Sequence, residues 1–105
     1  MLYQDCEAID SVHNFSFFSM WTSGNVVHRC LARDGRLSTD LHGHLSMANL
    51  FDCTTVDRDD LQSEYRPFGT VIHGHTTTES VFWNTYGTSV SPANIIESPQ
   101  WGLGY

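Results

Sequence analysis

Apolar residues fall in short, dense runs separated by polar breaks that contain glycine. The first dozen residues mix acids with Ile9 and Val12 and show no clear period. From Asn14 to Trp21 the chain is strongly aromatic, with Phe15, Phe17, Phe18, Met20 and Trp21. Thr22-Ser23-Gly24-Asn25 follows, and then Val26-Val27-His28-Arg29-Cys30-Leu31. Two β-prone runs around a Ser-Gly-Asn break predict a hairpin. Phe17 and Phe18 are adjacent, so on a strand they face opposite sides, which predicts that both faces of that sheet are covered, the second by a helix layer or by an oligomer or partner surface. Arg33-Asp34-Gly35-Arg36 marks a second turn.

The middle of the chain reads as helical. Ser38, Thr39 and Asp40 are N-cap candidates for a helix reaching about Cys53, with Leu41, Leu45, Ala48 and Phe51 on one face. Gly43 inside that span weakens the first turn. A second helix starts at Asp57 as N-cap, with Asp60 in its first turn and Val56 and Leu61 as a hydrophobic staple. Pro67 stops it near Tyr65. Beyond it, the stretches 69–76 and 79–86 are rich in Val, Ile, Thr, Phe, Trp and Tyr and predict strands. A short segment, 90–97, follows. Strands, then helices, then strands predict an α+β fold. It has an antiparallel sheet, built from an N-terminal and a C-terminal hairpin, and two short central helices. Residues 1–105 form one domain, and no internal repeat is visible apart from one tripeptide.

Composition narrows the partners. Twelve acids stand against five basic residues, all arginine, for a net charge of −7. A lysine-free acidic chain is repelled by phosphate backbones, so direct nucleic-acid binding is disfavoured. No stretch approaches the ~20 apolar residues of a membrane span. The acidic N-terminus lacks the basic and apolar pattern of a secretory signal. Three spread cysteines, Cys6, Cys30 and Cys53, read as free thiols of a reducing, cytoplasmic compartment.

The repeated tripeptide is the one constellation with chemistry. His42-Gly43-His44 and His73-Gly74-His75 hold four of the six histidines. Side chains two apart on a strand share a face, so His73 and His75 can reach one ion, with Glu79 on the same parity. Two imidazoles and a carboxylate suit Zn, Fe(II) or Mn. His42 and His44 on a helix would not share a face. His28 and Cys30 form a candidate nucleophile pair. Asp57, Asp59 and Asp60 lack the ladder of a calcium loop and read as caps or as an acidic patch.

The segment His73-Gly74-His75, Glu79 and Gly87 resembles the first cupin motif, over about 20 residues. That resemblance implies a β-barrel with a metal-dependent site. The later histidine-bearing cupin motif has no counterpart, since no histidine follows Gly87. Asp40-Leu41-His42-Gly43-His44 and Val71-Ile72-His73-Gly74-His75-Thr76 resemble segments of calcineurin-like metallophosphoesterases. That likeness implies ligand roles for Asp40, His42, His73 and His75. Their Gly-Asp-x-x-Asp-Arg motif is broken, with Thr54 at a ligand position.

Small size, acidity and the lack of an assembled catalytic motif lead to the expectation of a non-enzymatic binding protein. It would act as an inhibitor or adaptor on a protein with a basic surface, needing no cofactor, and a homo-oligomer is compatible with it. Small acidic proteins that mobile elements make against host defence share this profile. The binding residues would be Asp57, Asp59, Asp60, Trp101 and Tyr105. The alternative is a divalent-metal-dependent enzyme, cupin-like or phosphoesterase-like, built on His73, His75 and Glu79.

Overall fold

The computed structural model describes residues 1–67, 73–87 and 95–97. All regular structure among them is β. The strands are β1 (Leu2–Gln4), β2 (Glu7–Ile9), β3 (Ser16–Phe18), β4 (Val26–His28), β5 (Leu31–Arg33), β6 (Thr39–Gly43) and β7 (Ser46–Met47). They continue as β8 (Leu50–Asp52), β9 (Thr55–Asp57), β10 (Leu61–Ser63), β11 (Thr77–Thr78), β12 (Val81–Trp83), β13 (Tyr86–Gly87) and β14 (Ile95–Glu97). Three four-stranded sheets form, in the orders β1-β4-β8-β12, β13-β9-β5-β2 and β14-β10-β6-β3, with a small β11-β7 pair beside them. Every strand pairing is parallel. Successive strands therefore lie in different sheets, and the chain winds as a three-sided parallel β-solenoid.

This overturns the α+β expectation, its antiparallel sheet, both hairpins and both helices. The physical reason lies at the corners. Asp5, Arg29, Cys53 and Asn84 all have φ near +50°, as do Asp10, Asp34 and Arg58 at the second corner. Gly24, Ala48 and Glu79 also turn with positive φ. A left-handed residue every few positions ends each strand after about three residues and swings the chain onto the next side. Asp and Asn tolerate this conformation, and the remaining positions hold it because the ladder on either side fixes the backbone. No helix survives such interruptions. Leu45 and Ala48, which supplied two positions of the predicted helical stripe, are exposed left-handed residues, whereas Leu41 and Phe51 are buried on different sheets.

The coil length is 24 residues where Asn25 meets Asn49 and 31 where Asn49 meets Ser80. The internal repeat missed in the sequence is this one. Cys6-x-Ala8 and Cys30-x-Ala32, and Asn25 with Asn49, are its faint traces. In β4, β5, β8 and β9 only the middle side chain is buried, while β10 buries its first and last residues, Leu61 and Ser63. Phe17, Val27, Ala32, Leu41, Phe51, Val56, Leu61 and Phe82 form the core, together with Cys30. Phe51 lies between Phe17, at 5.7 Å between ring centroids, and Phe82, at 5.3 Å. Val56 and Leu61, expected as a staple, are both core. The aromatic run divides: Phe17 is buried, Phe18 is partly exposed, and Trp21 is 90% exposed. Among the described residues no helix is long and apolar enough to cross a membrane.

Stacking also organises charge. Arg29 donates to both carboxylate oxygens of Asp5 in the preceding coil, at 2.8 and 2.7 Å, while Arg58 donates through Nε to one oxygen of Asp34 and through Nη1 to Asp57 at 3.1 Å. Arg36 reaches Asp10 at 3.1 Å, and Arg33 reaches Glu7 at 3.1 Å. The Arg29/Arg33/Arg36 trio is therefore spent on acids one coil away.

The Asp5 carboxyl is lowered from 3.8 to about 2, first by its hydrogen bonds from Arg29 and then by one from Gln4. A carboxyl depressed by folding stabilises the fold above its unfolded value, and that support disappears as pH falls through the folded value. The urea midpoint of wild type should exceed that of Asp5→Asn at pH 5, with the gap closing between about pH 4 and pH 2. One molar salt should narrow it at pH 5. A gap independent of pH would show that the ion pair contributes nothing.

Candidate metal centre

The third sheet carries the densest polar cluster on the molecule. Asp40 on β6 is fully buried. Its carboxylate accepts from Ser16 Oγ at 2.6 Å, one coil earlier on β3. On its other oxygen it faces His42 Nδ1 at 2.6 Å and Arg66 Nη2 at 3.4 Å. Arg66 also donates to Gln62 and lies 3.8 Å from Glu64. A buried carboxylate needs such partners, because unpaired it would cost several kcal/mol of desolvation. His13 adds its Nδ1 at 3.5 Å from Asp40, closer still to the Ser38 carbonyl at 2.7 Å.

These contacts decide the tautomers. A carbonyl only accepts, so His13 Nδ1 carries the proton it donates to Ser38. A carboxylate likewise accepts from His42 Nδ1. Arg66 Nη1, at 3.2 Å from that nitrogen, is a charge neighbour of the Asp40–His42 pair and not a third hydrogen-bond partner. Both imidazoles thereby keep their lone pair on Nε2. This is the arrangement in which a carboxylate orients a metal-ligating histidine.

His42 Nε2 points at His73 Nε2, 3.3 Å away across one coil, with the rings tilted by 68°. The rings of His13 and His42 are 4.8 Å apart. His13, Asp40 and His42 are the described residues whose potential ligand atoms come within 4.8 Å of one another. Within that trio the 2.6 Å approach of Nδ1 to the carboxylate is a hydrogen bond, too close for two ligands of one ion. The ligand-like separation is on the opposite side of the His42 ring. Two nitrogens bound tetrahedrally to zinc at 2.0–2.1 Å lie about 3.3–3.4 Å apart.

The local sequence explains how His73 arrives there. Arg66 and Gly74 pair their backbones antiparallel, with N···O distances of 2.8 and 2.9 Å, which sets His73 beside the arginine that contacts Asp40 and His42. Gly74 turns with φ +52°. Gly43 serves a different purpose. A Cβ there would stand 2.3 Å from the Phe18 ring, which packs over the glycine between His42 and His44. An open groove of about 580 Å3 adjoins the cluster, with His13, Ser38, His42, Gln62 and Arg66 on its wall.

Of the ligands predicted from sequence, His73 joins this cluster. His75 packs instead on the Tyr65 ring, 4.5 Å between centroids, and Glu79 is exposed at a left-handed corner. Residues 73–76 are not strand, so the shared face assumed for His73 and His75 does not exist. Asp40, His42 and His13 were missed as a set. Their signal lay in the coil period, which brings positions far apart in sequence onto one sheet. Asp40 and His42 do coincide with positions singled out by the phosphoesterase resemblance. The parallel solenoid is nevertheless neither the cupin barrel nor an α/β sandwich.

The remaining candidates resolve as structural. His28 Nδ1 bonds Asp52 at 2.7 Å and its Nε2 meets Arg29 at 2.7 Å, while Cys30 Sγ faces the carbonyls of Tyr3 and His28. No His28–Cys30 side-chain pair forms. Asp59 is buried and accepts from Thr39 N, Thr39 Oγ1, Asn14 Nδ2 and Asp60 N. It caps backbone, as expected of the acidic trio, but the backbone belongs mainly to another coil and not to a helix. A Cβ at Gly35 would stand 2.7 Å from its carboxylate. Asp57 and Asp60 are half-buried, and Trp101 and Tyr105 lie outside the described residues. Compared with family models, curated proteins and solved structures, the chain matches none.

Removing the buried carboxylate should be costly, because Arg66, Ser16 and His42 all lose their acceptor. Asp40→Ala is expected to lower unfolding free energy by about 3–5 kcal/mol in urea titrations. A loss below about 1 kcal/mol would mean that water reaches the cluster freely.

Proposed function

We propose that this chain is a metal-dependent catalyst carrying one divalent transition-metal ion, zinc by preference, between His42 Nε2 and His73 Nε2. The 3.3 Å spacing of those two nitrogens carries the reading. It matches two ligands of one tetrahedral ion, and the same spacing lets one Nε2–H donate to the other ring when no ion joins them. Asp40 accepts from His42 Nδ1, which directs the opposite ring nitrogen toward His73, and Arg66 balances the Asp40 charge. His13 packs its ring beside that of His42, 4.8 Å between centroids, and groups with Asp40 and His42. Zinc suits this nitrogen set better than Fe(II) or Mn, which favour more oxygen ligands. An ion there would supply a bound water acidic enough to ionise near neutral pH, beside a groove open to substrate.

The test is metal analysis of untagged protein, followed by titration of the chelator-treated chain with Zn and with Co(II). One equivalent should bind, with Co(II) giving the visible absorption of a tetrahedral nitrogen site. His42→Ala and His73→Ala should each abolish stoichiometric binding, and Asp40→Asn should weaken it about 10–100-fold. Equal binding in wild type and the His42→Ala/His73→Ala double variant would overturn the reading.

A second reading, binding of a macromolecular partner, draws support from exposed aromatics rather than from the acids. Trp21 is 90% and Trp83 60% exposed. Asp59 is internal, which leaves Asp57 and Asp60 as the acids available for electrostatic steering. If it holds, Trp21→Ser or Trp83→Ser should weaken association more than Asp57→Asn/Asp60→Asn, measured against a basic protein partner at low salt.

A further inference from the structure

A second pair of reactive groups is stacked by the coil period, on the opposite side of the solenoid from any histidine chemistry proposed above. Leu31 N donates to the Cys6 carbonyl at 2.9 Å, and Thr55 N donates to the Cys30 carbonyl at 2.8 Å. Glu7 is in register with Leu31, and Leu31 with Thr55. Cys6, Cys30 and Thr54 therefore occupy one position in three successive coils. Parallel neighbours stand about 4.8 Å apart. A disulfide spans Cα atoms about 4.4–6.8 Å apart.

The side chains agree with the backbone. Thr54 Oγ1 donates to the Val27 carbonyl one coil back, at 3.2 Å, and Cys30 Sγ makes the same reach to the Tyr3 carbonyl at 3.5 Å. Cys6 Sγ donates to the next carbonyl along that coil, Gln4, at 3.2 Å. Both thiols thus converge on adjacent carbonyls of the first coil. Cys53 belongs elsewhere. It occupies the left-handed corner one position earlier, donates to Asp52 at 3.3 Å and accepts from Asn84 in the following coil at 3.3 Å. A shallow surface pocket brings solvent to Cys6, which is exposed, while Cys30 is 2% exposed.

We propose that Cys6 and Cys30 are a disulfide-forming pair that staples the first coil to the second when a disulfide oxidant such as oxidised glutathione is present. Exposure sets the order of steps. The Cys6 thiolate attacks one sulfur of oxidised glutathione, the glutathione S–S bond breaks, and one reduced glutathione leaves. The Cys30 thiolate then attacks the Cys6 sulfur of the mixed disulfide, releasing the second reduced glutathione. Two protein thiols have lost two protons and two electrons, and one oxidised glutathione has been reduced. Burial pushes the Cys30 thiol up, which suits it to the second, intramolecular step and not to the first encounter. The pair is independent of any metal bound at His42 and His73.

The experiment incubates the full chain, with chelator, in oxidised glutathione, and maps the products by peptic digestion and mass spectrometry. Wild type should lose two hydrogens, retain no glutathione, yield a Cys6–Cys30 cross-linked peptide and keep Cys53 alkylatable. Cys30→Thr, which installs the residue present at the equivalent position 54, should stop at a stable glutathione adduct on Cys6. Cys6→Ser should leave Cys30 unmodified, and oxidised wild type should unfold at higher urea than the reduced protein. A lasting glutathione adduct on wild-type Cys6, an unmodified Cys6, or a disulfide containing Cys53 would each overturn the proposal.

Discussion

Parallel in-register pairing between successive coils is the constraint on which this molecule rests. Strand partners in successive coils stand 24 residues apart in the first turns and 31 apart where β8 pairs β12, and on the third sheet the spacing is 22 from β6 to β10 and 34 from β10 to β14. Strands too short to stand alone thereby become three continuous sheets. The corners bear the conformational cost. Among the described residues eleven non-glycine positions take positive φ, and several are not the Asp or Asn that accepts it readily. Repeated pairing on both sides of each corner offsets that strain, because a slip at one coil would unpair its neighbours as well.

A second consequence of the same pairing is that chemistry is made by superposition. Residues that stack one coil apart meet whether or not they are near in sequence. Asp5 meets Arg29, Phe51 meets Phe82, Cys6 meets Cys30, and His42 meets His73. The molecule also provides an internal comparison. His28 and His42 each give Nδ1 to an aspartate, Asp52 and Asp40 respectively, at 2.7 and 2.6 Å. At His28 the other nitrogen is taken by the Arg29 guanidinium. At His42 it faces another imidazole at ligand spacing. A carboxylate bond at Nδ1 therefore leads to a structural contact in one place, where the adjacent Arg29 takes Nε2, and to a candidate metal centre in the other, where His73 arrives from the next coil.

Several features were readable from the chain itself. The strand-prone composition of 14–31 and 79–86, the break at Gly24 and the importance of the two His-Gly-His copies all follow from residue type and local spacing. The capping role read for Asp57, Asp59 and Asp60 belonged to a helix that does not form, and Asp59 accepts instead from Thr39 of another coil. The predicted helices failed for a definable reason. Leu41, Leu45, Ala48 and Phe51 happen to fit a 3.6-residue period, yet in β4, β5, β8 and β9 the buried residue recurs once per three-residue strand. That sparse pattern imitates a helical stripe over any short window.

Residue identity settled which groups could act: six imidazoles, buried and exposed carboxylates, three thiols and five guanidinium groups. Only the wound chain settled which of them act together. Each His-Gly-His tripeptide reads as a chelating unit by itself, but the fold separates its two histidines and joins the first of one copy to the first of the other. Backbone hydrogen bonds between coils specify that pairing. They depend on the register of distant strands, and register is a property of the whole ladder that no local stretch of sequence contains.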